Sequence, residues 1–266
     1  MLFFRAFFKD LFIHRKLIFE LAKRDFQSAY FGSALGLTWS FLEPLIYIGI
    51  MWFFFTKALR YSPSGNTPYI AWLMTTMILW YFVSGSISAT TSIFRNYAYM
   101  MKKWEFNISI LPVVSLLSAF FNHAIFIFLL VIIYAFTGVP FSLYWLQITY
   151  YILATCFFVV GITWVTASLN LFYKDIRNII TIGLQLTFWV SPIFWEIEAF
   201  PEKYRPFIRL NPLFHIMEGY RNSFLNHRFF WEDKFSFLYF WSFCAFLWIV
   251  GAWTYRKLRP YFGEVI

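Results

Sequence analysis

Six blocks of about twenty mostly apolar residues run along this chain, at positions 35–55, 69–87, 116–136, 143–171, 179–194 and 235–253, and they fix the solvent in which it folds. A helix needs roughly 20 residues, at about 1.5 Å each, to cross about 30 Å of hydrocarbon, so all but the fifth block can span with some tilt. The expected fold class is an all-α membrane protein with six transmembrane helices. With 61% hydrophobic, 26% aromatic and 13% charged residues, the composition lies outside the range of a soluble domain. The fifth block is short and runs into Ser191 and Pro192. The Pro-interrupted apolar tract after it, 193–217, reads as segments that dip into the bilayer without crossing it.

Lysine and arginine set the orientation. With six spans both ends share a side, and that side holds Arg5, Lys9, Arg15, Lys16, Lys23, Arg24, Arg95, Lys102, Lys103, Lys174, Arg177, Arg256, Lys257 and Arg259, fourteen of the 22 basic residues. The other side holds Lys57, Arg60, Lys203, Arg205, Arg209, Arg221, Arg228 and Lys234, and most of these share one long loop with Glu196, Glu198, Glu202, Glu218, Glu232 and Asp233. Both termini are therefore expected in the cytoplasm. This gives a cytoplasmic N-terminal segment (1–34), a membrane domain (35–253) with an external re-entrant loop (192–234), and a cytoplasmic tail (254–266). The net charge of +9 falls in short cytoplasmic connectors, where topology demands it, so no nucleic-acid partner is implied.

Several chemistries lack their residues. None of the ten lysines is followed by Ser or Thr, so there is no phosphate-binding GxxxxGK[ST] loop, and no HExxH surrounds His14, His123, His215 or His227. Cys156 and Cys244 fall inside predicted spans and read as packing residues rather than a disulfide or zinc site. Residues 1–16 are broken by Arg5, Lys9 and Asp10 and do not read as a signal peptide. No span carries the paired acids of an ion relay. A subunit driven by a partner fits better than a self-sufficient enzyme.

Two cytoplasmic segments are built for contact. Residues 17–33 place Ile18, Leu21, Ala22, Phe26 and Ala29 on one face and Glu20, Lys23, Arg24 and Gln27 on the other, the pattern of a helix lying along membrane lipid headgroups. The loop 94–110 mixes Tyr97, Tyr99, Met100, Met101 and Trp104 with Arg95, Lys102, Lys103 and Glu105, residue types that either dock a protein or rest in the headgroup layer. Glu43 is an acid inside a predicted span and must face water, pair with a polar group such as Asn122 or His123, or carry a proton. Gly32 and Gly36 permit close helix approach, at a dimer seam or within the chain.

The tracts LAKRDFQSAYFGSALGLTWSFLEPL (21–45), NISILP (107–112), NLFYKDIRNI (170–179), FWVSPIFW (188–195) and LNPLFHIMEGYR (210–221) together resemble a bacterial ABC-2 type permease. Within that superfamily they are similar to subunits that export lipid-linked cell-surface polymers: wall teichoic acid, O-antigen or capsular polysaccharide. NISILP and the GYR ending lean toward the wall teichoic acid branch. The resemblance implies the ABC-2 permease fold, a homodimer, and two copies of a separate ATPase subunit that holds ATP and Mg, with no cofactor in this chain. It also implies a coupling helix at 97–107 (Tyr97, Tyr99, Met100, Met101, Lys102, Lys103, Trp104, Glu105) and a gate helix at 17–33 (Lys23, Arg24, Asp25, Phe26). A channel between protomers would carry the lipid-linked polymer, and stacked aromatics suit sugar faces. Trp39, Glu43, Tyr47, Phe188 and Trp189 are the candidate lining, with lipid contact or helix packing the alternative for each aromatic. A membrane-embedded enzyme acting on lipid-linked sugars is the reading from a different class.

Overall fold

The computed structural model describes residues 2–28, 34–60, 63, 67–101 and 108–265, and among these all regular structure is helical. The helices are α1 (Leu2–Ile13), α2 (Arg15–Ser28), α3 (Trp39–Phe53), α4 (Tyr69–Thr91), α5 (Ile93–Asn96), α6 (Ala98–Met101), α7 (Leu111–Thr137), α8 (Ile148–Phe172), α9 (Asp175–Val190), α10 (Arg205–Arg209), α11 (Pro212–Arg221), α12 (Lys234–Leu258) and α13 (Phe262–Val265). Five helical stretches among the described residues are long and apolar enough to cross a membrane: Trp39–Ala58, Tyr69–Thr91, Ile108–Thr137, Leu143–Phe172 and Lys234–Glu264. The protein is a multi-pass membrane protein.

Several boundaries differ from the sequence expectation for identifiable reasons. The first span starts at Trp39 rather than 35, because Gly36 adopts φ +51° and turns the chain ahead of the helix. Gly32, its proposed close-packing partner, lies outside the described residues. The fifth block forms α9, 16 residues from Asp175 to Val190, earlier than 179–194. Pro192 disfavours helix at the residue before it, and Ser191 is extended with ψ 148°. The amphipathic helix is α2, Arg15–Ser28, preceded by a separate α1, and 29–33 lie outside the described residues.

The bundle is organised around α4, which is buried over most of its length and packs against α3, α7, α8, α9 and α11. Its buried hydroxyls bond back to their own helix, as Thr75 does to Ala71 O (2.7 Å) and Thr90 to Ser86 O (2.7 Å). They also reach neighbouring helices, with Thr75 against the Tyr134 hydroxyl (2.6 Å) and Thr163 donating to Thr90 (2.8 Å). Such bonds hold helices together in hydrocarbon, where apolar burial between helices gives no driving force. Helices α8 and α12 meet through glycine, since a Cβ on Gly251 would lie 2.6 Å from the Gly161 carbonyl oxygen. Helix α1 is fixed by aromatic contacts, Phe3 and Phe7 on Trp164 and Phe8 on Trp248.

Candidate translocation face

One face of α3 is exposed along its length. Trp39, Glu43, Tyr47 and Ile50 recur at helical spacing there, with Trp39 44% and Tyr47 36% exposed. Across α4, α9 is exposed over most of its surface and sets Ile179, Ile182, Leu186 and Trp189 at helical spacing along one side. Phe188 is instead buried between Trp80 and Phe194, so within the protomer it supports the face rather than lining it. Glu43 does not reach toward His123, whose Nε2 meets the Tyr220 hydroxyl at 2.8 Å. Because α3 starts at Trp39, Glu43 lies only about 6 Å along its axis, shallower than the sequence placed it. A carboxylate facing acyl chains is costly, and one at this depth is less so.

Between α3 and α9, the helix α4 turns from sealed to open. Gly85, Ser88 and Ala89 are exposed there, and two clefts flank them. One, of about 250 Å³, lies between α2, α3, α4 and α7 and is lined by Phe26, Ser40, Tyr81, Ser118 and Asn122. The other, of about 570 Å³, lies between α4 and α9 and is lined by Ser88, Ser92, Asn96, Arg177 and Thr181. Its hydroxyls, amide and single guanidinium give donors and acceptors for a polyhydroxylated or phosphorylated chain.

At this open end α2 is clamped to the connection after α4. The Tyr97 hydroxyl donates to Asp25 Oδ1, and Arg24 Nη2 donates to the Tyr99 hydroxyl at 3.0 Å. Tyr97 is 4% exposed, contrary to its expected exposure in a docking loop, whereas Tyr99 is exposed. Burial first, and then the bond to Asp25, pushes the Tyr97 phenol above its ordinary pKa, so it stays protonated and keeps donating. The hydrogen bonds to Tyr99 and Tyr97 raise the Arg24 pKa further. Lys23 is exposed beside them, and Phe26 packs on Phe121 of α7 while lining the smaller cleft. The helical part of this connection is α5 and α6; Lys102, Lys103, Trp104 and Glu105 lie outside the described residues, as do the side chains of Met100 and Met101. Arg95 anchors the connection from the other side by donating to the Asn170 (2.6 Å) and Leu171 (3.2 Å) carbonyls at the end of α8.

The opposite end of α4 is closed by Arg221, which the sequence offers only as a loop charge and as the end of the GYR tract. Arg221, 2% exposed at the end of α11, stacks over Trp72 with its guanidinium carbon 3.6 Å from the ring. Its Nη2 donates to the Ile193 carbonyl (2.8 Å) and to Thr76 Oγ1 (3.0 Å), and Nη1 lies 3.6 Å from Glu218. The Tyr69 hydroxyl donates to the Phe194 carbonyl at 3.2 Å, and Asn211 donates to Ser191 Oγ at 2.8 Å. The irregular turn after α9 is thereby buried and its carbonyls satisfied, the condition for non-helical backbone at membrane depth. The signal in the sequence was an Arg ending an apolar helix with Glu three residues earlier on the same face.

A bundle of apolar spans with clefts on both sides of a buried central helix, one of them lined mostly by polar groups, defines a multi-pass membrane protein. The chain belongs to the ABC-2 type transporter family, whose description matches residues 16–225. It is 27% identical over 252 residues to the O-antigen export system permease protein RfbA of Klebsiella pneumoniae, covering 94% of this chain and 95% of the relative. It is 23% identical over 223 residues to the protein of the same name from Myxococcus xanthus, covering 83% and 84%. A capsule polysaccharide export inner-membrane protein, CtrC of Neisseria meningitidis, is 24% identical over 226 residues, covering 81% and 82%.

Proposed function

We propose that this chain is the membrane permease of an exporter that moves a lipid-linked polysaccharide out of the cytoplasm, driven by a separate ATP-binding subunit. The observation that carries the reading is the seating of α2. It is bonded to the connection after α4 through Asp25 and Arg24, and the next residue, Phe26, lines a cleft beside the exposed face of α3. A push on residues 97–107 by an ATPase that closes on ATP and Mg is thus delivered to a wall of the pathway. Two ATPase copies act on a homodimer, whose second protomer covers the Glu43 face of α3. The cargo is the polymer class named for the relatives, O-antigen or capsular polysaccharide; wall teichoic acid rests on the NISILP and GYR tracts.

Both termini lie in the cytoplasm, which makes α9 the sixth span. Its 16 residues rise about 24 Å, less than the hydrocarbon core, and the buried turn after it supplies the remaining depth. The clefts beside Gly85 then open toward the cytoplasm, and α10 and α11 cap the outer side. Depleting the protein should leave lipid-linked polymer inside the cytoplasm, extractable from inverted but not right-side-out vesicles. Normal surface polymer after complete depletion would overturn the function.

A further inference from the structure

A second polar cavity, of about 460 Å³, lies on the α11 side of the bundle, among α8, α11, the start of α12 and the segments near 198 and 229. It is within the size range of small-molecule sites, about 300–1,000 Å³. We propose that it binds a saccharide unit of the polymer after it has crossed, an inference that rests on the export reading above.

The wall chemistry selects a neutral, polyhydroxylated ligand. Glu218, Arg209 and Arg228 set acceptors and donors around one space, with the Glu218 charge offset by Arg221. Two further carboxylates are engaged locally, Glu232 accepting from Phe229 N (2.7 Å) and Asp233 from Ser236 N (3.1 Å) and Oγ (2.8 Å). An anion would meet the carboxylates, and among the described residues no group of His, Cys, Asp or Glu is spaced to hold a metal ion. Sugar hydroxyls both donate and accept, so they can use both signs of this wall.

Two further observations point to a ligand. Tyr151 lines the cavity although only 2% exposed, and its phenol adds a hydroxyl to the wall that can donate to and accept from a sugar. Phe229 and Phe230 also line the space and are held by neighbours, Phe229 against Tyr144 (4.7 Å) and Phe230 stacked on Tyr150 (4.1 Å). Fixed aromatic rings beside hydrogen-bonding groups suit the apolar face and hydroxyl edge of a pyranose. Glu218 links this wall to Arg221, so a sugar that bonds Glu218 competes with the ion pair closing the turn after α9.

A cysteine reporter tests the site. In a chain with Cys156→Ser and Cys244→Ser, Glu198→Cys places a thiol at the exposed mouth of the cavity. An impermeant maleimide should label it in intact cells, or in spheroplasts where an outer membrane intervenes; failure there overturns the orientation in the export reading. With the permease and its ATPase in nanodiscs, labelling is then timed with glucose, galactose, mannose, rhamnose or N-acetylglucosamine. At least one sugar should slow it about threefold at about twice its dissociation constant. Tyr151→Phe and Asn222→Ala, each removing a hydrogen-bonding side chain from the cavity wall, should abolish that protection while leaving the rate without sugar unchanged. Protection by none of the five sugars, or protection that persists in both variants, overturns the saccharide site and leaves the export reading standing.

Discussion

The two ends of α4 are built on opposite principles. From Tyr69 to Thr76 the polar and polar-edged side chains are engaged: Tyr69 with the Phe194 carbonyl, Trp72 under Arg221, Thr75 with Tyr134, and Thr76 with Arg221 and Ile193. From Gly85 to Asn96 the same helix and its extension border two clefts, one of them mainly polar, and the nearest clamp, Tyr97 to Asp25, joins them to an amphipathic helix rather than to the core. On the export reading proposed above, a sealed end and an accessible end are the resting state expected of a transporter that must not leak, with the movable contacts at the end on which the ATPase would act.

The seal should fail most dramatically at Arg221. Replacing it with Leu leaves Glu218 and the Ile193 carbonyl without their cation, and breaking such a buried arrangement costs about 3–5 kcal/mol. We expect a large fall in the thermal unfolding midpoint of the purified permease with its ATPase. Arg221→Lys should fall between, since an ammonium cannot stack flat on Trp72 while bridging Thr76 and Ile193. An unchanged midpoint for Arg221→Leu would mean that the two ends do not differ in the way described.

At the open end a smaller and more specific effect is expected. Tyr97→Phe keeps the buried ring and removes only the bond to Asp25, about 1–1.4 kcal/mol, so export should drop by roughly five- to tenfold. The ATPase should still co-purify, because residues 100–105 are unchanged. Asp25→Asn retains an acceptor for the Tyr97 hydroxyl and should lose less. Normal export by Tyr97→Phe would remove α2 from the transmission of force.

This contrast was only half legible in the sequence. The amphipathic face of α2 could be read because it depends on local spacing, and Ile18, Leu21 and Ala22 are indeed buried. The spans could be read because hydrocarbon demands length. The Arg221 closure could not, since Thr76 is 145 positions away and nothing local pairs them. Tyr97 was read as exposed because its partner, Asp25, is 72 positions earlier. Phe188 and Trp189 were indistinguishable by composition, yet one is buried against Trp80 and the other is 61% exposed.

The smallest effect belongs to Glu43, exposed on the face that a second protomer would cover. Glu43→Gln preserves shape and hydrogen-bonding capacity while removing the charge, and export should stay within about twofold of normal, less than a 0.5 kcal/mol change. Glu43→Leu sharpens the result. If the face bordered lipid, an apolar residue would remove the cost of exposing a carboxylate to hydrocarbon and raise stability. If it borders a wet pathway, Leu should leave stability unchanged and reduce export, because a polar chain then passes an apolar side chain where water and hydroxyls were bonded. Assaying both variants for thermal midpoint and surface polymer separates these cases, and loss of export in Glu43→Gln with normal assembly would show that the charge itself is required.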